Sequence, residues 1–472
     1  MKNSGSHPQL SKIMTGIKGL DEITFGGFPE NRSTLVTGYA GSGKTVFAMH
    51  FILNGIKMYD EPGVFISMEE SEEELKKNMT SFGFDLETMI QKNKLCLENI
   101  NIRQTALYKA GNFDLSPIFL RIEEAVNKVG AKRIGIDTFE QIFIDIRERN
   151  VFRQELMRLI NWLKERELTA VFTSESPKDP HKKSSIEEFI TDCVLHLSHT
   201  LEENIYTRRI HVLKYRGATH GTNDYPFLID EKGISILPVT SVEFHGVSNE
   251  IVSTGIKSLD THLYKKGIYA GSNLLVSGPS GVGKTTLSVA FCIEAMKSGK
   301  RCLIFSYEEG GPQLKRNMKS LGYDLEDFEK KGLLKIVSTR PTNMGVEAHL
   351  ISIYRNIESL HPEVTVFDPI TDLIQIGTRS EIRGLVFRLI DYLKSRMITV
   401  MFTTLESERN FYQRLGMSSL VDAWIFLRTD YTSSRGDILL KVLKIRGMSH
   451  SREEFILEFS DKGLDIAETG RY

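Results

Sequence analysis

At 472 residues the chain is too long for one ordinary hydrophobic core and suits two or three domains. Its 40% hydrophobic and 26% charged residues are those of a globular protein, and a net charge of −1 supplies no global basic field for nucleic acid or anionic membrane. Cys96, Cys193, Cys292 and Cys302 lack CxxC spacing and read as small buried thiols. MKNSGSHPQL has no apolar signal core and no run of about 18 apolar residues occurs, so a cytoplasmic protein without a membrane partner is expected.

Taken in chain order, residues 33–37, 63–67, 133–137 and 169–173 are short, β-branched runs that predict strands. Residues 46–57, 72–82, 118–128 and 153–167 have helical apolar spacing. Strand–helix alternation implies a largely parallel sheet with helices on both faces, followed by antiparallel tails over 207–216 and 438–446. The fold class is therefore α/β, twice over, because the chain repeats itself. Thr15-Gly-Ile-Lys-Gly-Leu-Asp21 returns as Thr254-Gly-Ile-Lys-Ser-Leu-Asp260, and Lys214-Tyr-Arg-Gly217 as Lys444-Ile-Arg-Gly447. Matches in one order, at an offset drifting from about 240 to about 230, mean duplication, with domains expected at 1–243 and 244–472.

Between the first strand and helix of each copy lies GxxxxGK[ST]: Gly38-Tyr-Ala-Gly41-Ser42-Gly43-Lys44-Thr45 and Gly278-Pro-Ser-Gly281-Val282-Gly283-Lys284-Thr285. Glycines let backbone N–H groups turn toward phosphates, and the helix N-terminus adds its dipole. Lys44 and Lys284 would reach the β/γ-phosphates of ATP, with Thr45 and Thr285 on Mg²⁺. Asp137 and Asp368 end apolar strands and fit the second metal-side carboxylate.

Two further pairs recur. Glu69-Glu70 and Glu308-Glu309 cap the next strand, where alternation would turn only one of each pair toward a γ-phosphate. The first of each is the expected base for a water or hydroxyl, and the second its support. Lys214/Arg216 and Lys444/Arg446 sit two apart, on one strand face. Nothing in the sequence of the same copy explains them, so they are expected to stabilise γ-phosphate charge from an adjacent subunit.

With these residues in place the sequence resembles the KaiC family of tandem RecA-like ATPases, from about Thr15 to about Ile466. Phe25-Gly-Gly-Phe-Pro-Glu-Asn-Arg-Ser-Thr-Leu-Val-Thr-Gly38, Asp60-Glu-Pro-Gly-Val-Phe65, Leu333-Leu-Lys-Ile-Val337 and both Lys-x-Arg-Gly segments carry the likeness. The resemblance implies a double-ring homohexamer with ATP between subunits. Lys214, Tyr215, Arg216 and His220, with Lys444, Ile445, Arg446 and His450, would reach the neighbour's nucleotide. Val46, Ser81, Val282 and Thr286 join the nucleotide-binding set, and Glu308 the metal-side set. Slow hydrolysis in the first ring and Ser/Thr autokinase activity in the second are implied, with Ser418 and Ser419 as phosphoacceptors and Glu308 as base. The first copy has Glu188 and Phe189 at those positions, which cannot accept phosphate.

The chain departs from the family at Arg414, where an acidic residue is expected, and at Gln375, where an arginine is. It ends soon after Asp465-Ile466, so dependence on KaiA is not expected, whereas a KaiB-like partner is compatible. The alternative is a RecA-like DNA-dependent motor using Arg147, Arg149, Arg153, Arg379 and Arg383. Asp145, Glu148 and Glu381 dilute that charge, and no aromatic–basic platform accompanies it, so a nucleic-acid partner is not expected.

Overall fold

The computed structural model describes the chain apart from residues 1–9, 101–107, 110–111, 114, 144–148, 177–187, 189, 203–204, 237–247, 264–265, 344, 377–378, 406–419, 432–435 and 469–472. The chain divides into two compact units, Met1–Val239 and Thr240–Tyr472.

In the first unit the parallel strands are β1 (Ser33–Gly38), β2 (Gly63–Ser67), β3 (Leu95–Asn99), β4 (Arg133–Asp137), β5 (Thr169–Glu175) and β6 (Cys193–Glu202). Helices α1 (Lys44–Tyr59), α2 (Glu72–Thr80), α3 (Ser116–Val129) and α4 (Arg149–Glu165) connect them. Strands β7 (Ile205–Tyr215), β8 (Asp224–Asp230) and β9 (Gly233–Ile236) add an antiparallel extension, giving the order β9-β8-β7-β6-β1-β5-β4-β2-β3.

Period-two alternation sorts the strand side chains into two cores. Val36, Phe65, Leu95, Leu97 and Val171 lie in one core with Phe47 and Phe51 of α1. Their neighbours Leu35, Val64, Ile66, Cys96, Ala170 and Phe172 pack with Ile118, Ile122, Leu156 and Leu159 of α3 and α4. Helix α3 starts with proline in its first turn and ends on Gly130 in the left-handed region, the two signals that bound a helix from sequence.

The second unit repeats the plan. Its sheet strands and longer helices are β10 (Asn273–Ser277), α5 (Lys284–Lys297), β11 (Cys302–Ser306), α6 (Gly311–Lys319), β12 (Leu334–Ser338), α7 (Val346–Leu360), β13 (Val364–Asp368), α8 (Arg379–Ser395), β14 (Thr399–Thr404), β15 (Ala423–Thr429), β16 (Ile438–Ile445), β17 (Glu454–Ser460) and β18 (Gly463–Glu468). Their order, β18-β17-β16-β15-β10-β14-β13-β11-β12, matches the first sheet strand for strand. The expected α/β class and its repetition are what the structure shows.

Parallel pairing sets the C-terminal ends of β1, β2, β4 and β5 along one sheet edge, as it does those of β10, β11, β13 and β14. Ligands of open α/β sheets bind outside that edge.

Candidate nucleotide-binding sites

At the end of β1 the chain turns through Gly41 (φ 76°) and Gly43 (φ 102°), left-handed conformations that favour glycine, and enters α1. A Cβ on Gly38 would lie 2.5 Å from the Leu197 carbonyl oxygen, and one on Gly43 would lie 2.3 Å from Cδ1 of Ile229; at Gly41 there is open space. The Lys44 ammonium donates across the loop to the carbonyls of Gly38 (2.9 Å) and Tyr39 (3.1 Å). Ser42 is buried inside the turn, its hydroxyl without a hydrogen-bond partner among the described residues. Loop two is the same device: Gly281 (φ 83°) and Gly283 (φ 89°) shape it, and Lys284 donates to Gly278 (2.9 Å) and Pro279 (2.5 Å). Val46, Val282 and Thr286 are buried, and the two valines can offer a phosphate only their backbone N–H groups.

The Thr45 hydroxyl, in the first turn of α1, donates to Oδ2 of Asp137 at 2.7 Å, and Thr173 of β5 donates to the other oxygen. Burial pushes the Asp137 carboxyl above the usual carboxylate range, and the two hydroxyls pull it back. Asp368 stands between Thr403 of β14 and Thr285 in the same way, its carboxyl likewise raised by burial. Each threonine–aspartate pair places hard oxygen donors beside a phosphate loop, and a cation there would offset the cost of a buried carboxylate. The donor set fits Mg²⁺.

The glutamate pairs lie in bends just past β2 and β11 rather than on the strands, so loop geometry and not strand alternation aims them. Glu69 Oε1 accepts from Thr138 Oγ1 (3.1 Å) and Gln141 Nε2 (2.9 Å). Glu70 accepts from Asn78 at 3.0 Å, and Glu309 accepts from Asn317 at 3.3 Å, so the second glutamate of each pair is tied to the following helix. Burial, with Asp372 and Asp368 nearby, raises the Glu308 carboxyl. Burial lowers the Lys284 ammonium, which Asp368 and Glu308 partly restore. Ser81 caps α2 and donates to Asn78 O (2.6 Å); Ser320 repeats this bond to Asn317 O (2.7 Å) in the second unit.

For the basic pairs the structure corrects the expectation that nothing in the same copy explains them: each has partners within its own unit. Lys214 donates to the carbonyls of Glu188 (2.8 Å) and Thr191 (2.7 Å), and Arg216 donates to Ile190 O (3.3 Å). Lys444 donates to Val421 O (2.7 Å), and Arg446 to Asp422 (3.3 Å). Nor do the two charges share a strand face, since Arg216 and Arg446 lie just beyond the strand ends. Register shifts opposite Val194/Leu195 and Trp424/Ile425 bulge the strands immediately before each lysine and re-aim it. Tyr215 fills the core with its hydroxyl on Gly27 O (2.9 Å), leaving only its backbone for a ligand, and Ile445 packs against the second core. His220 sits beside Gly221 O (2.9 Å), and His450 bridges to Leu263.

Ser418, Ser419, Arg414, Phe189, Arg147, Asp145 and Glu148 lie outside the described residues, whereas Glu188 is described. Sequence reading missed Thr173 and Thr403, Asn78 and Asn317, Gln141 and Asp372. The asparagines were findable as a repeat, because each stands eight residues after the second glutamate.

A glycine loop after the central strand, a lysine folded over it, and a threonine of the following helix bonded to an aspartate two strands away define each unit as a RecA-like P-loop ATPase domain. A family model described as ATPase: KaiC matches residues 13–241 and again residues 252–471. The chain belongs to the KaiC family. It is 41% identical to the circadian clock protein KaiC2 of Synechocystis sp. (strain ATCC 27184 / PCC 6803 / Kazusa), over 99% of this chain and 83% of that protein. It is 35% identical to the circadian clock oscillator protein KaiC of Synechococcus elongatus (strain ATCC 33912 / PCC 7942 / FACHB-805), over 99% and 91%. Among the described residues no helix is long and apolar enough to cross a membrane.

Proposed function

We propose that the chain is an ATP-hydrolysing ring protein whose second unit also phosphorylates its own serines, acting in regulation or timing. The observation that carries the ATPase reading is the repeated arrangement of Lys44, Thr45 and Asp137 and of Lys284, Thr285 and Asp368 around two glycine loops. Thr45 with Asp137, and Thr285 with Asp368 and Glu308, would hold Mg²⁺, which supplies charge neutralisation of the β- and γ-phosphate oxygens. Lys44 and Lys284 exchange their loop carbonyls for phosphate oxygens.

In the first unit Glu69 takes a proton from the attacking water as its oxygen bonds to the γ-phosphorus. The bond from that phosphorus to the β-bridging oxygen breaks, and ADP leaves. In the second unit the hydroxyl of Ser418 or Ser419 attacks instead, and Glu308 takes its proton. A carboxylate lifted by burial and by Asp372 and Asp368 suits that task better than an ordinary surface glutamate. Glu70 and Glu309 support their neighbours. Lys214, Arg216 and His220, with Lys444, Arg446 and His450, serve the nucleotide of an adjacent copy in a homohexamer, exchanging their present partners for it. The timing role rests on the names of the relatives, which are clock proteins. A KaiB-like protein is the partner class that reading favours.

Purified protein incubated with Mg-ATP, then subjected to native mass measurement and phosphopeptide mapping, tests the proposal. Phosphate on Ser418 or Ser419 that disappears in Glu308→Gln supports the autokinase. A chain that hydrolyses ATP while both serines stay unmodified leaves the ATPase alone.

A further inference from the structure

The two units differ beside the glutamate proposed as base. In the first, Thr138 and Gln141 both donate to one oxygen of Glu69, at 3.1 and 2.9 Å. Both come from the segment after β4: Thr138 follows Asp137 directly, and Gln141 lies one turn on, in the short helix Phe139–Phe143. Two donors on one oxygen restrain the carboxylate rotamer. In the second unit the corresponding residues are Pro369 and Asp372. A proline side chain cannot donate, and an aspartate lacks the amide N–H that Gln141 uses. Among the described residues, the same position therefore carries a glutamate clamped by its neighbours in the first unit and one with no such clamp in the second.

We propose that Gln141, assisted by Thr138, is a positioning residue for hydrolysis in the first unit: it holds Glu69 Oε1 so that Oε2 meets the attacking water. The substitution to Asp372 removes that clamp from the second unit. Without that clamp the Glu308 carboxylate can serve a bulkier nucleophile such as a protein hydroxyl, while Glu69 is set for water. This inference rests on the reading of Glu69 as the base.

The test uses the full chain carrying Lys284→Ala, so that hydrolysis reports the first unit. Gln141→Ala is expected to lower kcat for Mg-ATP by about fivefold to tenfold with KM within about twofold, since an oriented carboxylate and not nucleotide binding is lost. Gln141→Glu, which keeps the shape but repels Glu69, should lower kcat at least as far. In a Glu69→Gln background the Gln141→Ala change should add no further loss. An undiminished loss in that background, or a KM that rises in step, would assign Gln141 a structural role and overturn the proposal. Glu69→Gln inactive with Gln141→Ala at the parent rate sinks the positioning role alone. Glu69→Gln at the parent rate sinks the base assignment, and this inference with it.

Discussion

At the residue scale the two sites are built from short polar side chains held by burial. Thr45 is the clearest, because its hydroxyl touches Asp137 and it is one of the residues proposed to hold Mg²⁺. Thr45→Val keeps the volume and removes the oxygen, so hydrolysis by the first unit should fall about tenfold or more with the fold intact, measured in a Lys284→Ala chain. His50 gives a prediction about pH. It is buried in α1, its ring lies 5.1 Å from that of Phe84, and its Nδ1 accepts the Ile234 N–H at 3.1 Å. Burial, with Lys57 nearby, lowers its pKa from 6.5 to about 4. Between those values the unfolded chain binds a proton that the folded chain refuses, so stability rises with pH there. The contribution is complete above about pH 6.5 and is lost as pH falls toward 4, worth about 3 kcal/mol at most. Urea unfolding of the first unit, followed through Trp162 in a Trp424→Phe chain, should show that slope. His50→Asn, which retains an acceptor, should flatten it.

At the element scale the units share a plan but differ in how their helices are fixed. Helix α2 opens on a capping box in which Ser71 and Glu74 satisfy each other's backbone N–H, whereas α6 opens on Gly310 with no side-chain cap. The cap orients the helix that carries Asn78 to Glu70. Ser71→Ala should cost about 1 kcal/mol of first-unit stability by chemical unfolding, and Gly310→Ser should stabilise the second unit by a similar or smaller amount. Most helices and central strands were legible because alternation and 3.6-residue spacing are local: residues 63–67 and 133–137 are strands as expected, and 46–57 lies inside α1. Less legible was the length of β6, paired with β1 on one side and β7 on the other, where its polar His196 and Ser198 interrupt an apolar run. The bulges that aim Lys214 and Lys444 were invisible, since a bulge is defined by the partner strand and not by its own residues.

At the scale of the whole molecule each unit carries a complete phosphate loop, metal-side pair and glutamate pair, whereas the basic pairs are proposed to act on another copy. That reading predicts complementation. Lys284→Ala chains cannot use their own second loop, and Arg446→Ala chains cannot serve a neighbour. Mixed after dissociation and reassembled with Mg-ATP, in a Lys44→Ala background, they should recover second-unit turnover that neither shows alone. Recovery no greater than the sum of the separate rates would place Arg446 in service of its own unit, where Asp422 already holds it.

The sequence by itself determined the duplication, the α/β class and the phosphate loops, because each depends on residues close together along the chain. It also located Asp137 and Asp368, since a carboxylate ending an apolar strand is conspicuous. Only the tertiary structure decided what surrounds them. Thr173 reaches Asp137 from the next strand, Gln141 turns back onto Glu69, and Lys214 bonds carbonyls some 23 residues earlier. Those contacts arise from strand order and register, which pattern within one segment does not encode. Among the described residues, a glutamate clamped in the first unit and not in the second is the result, from two copies of one plan.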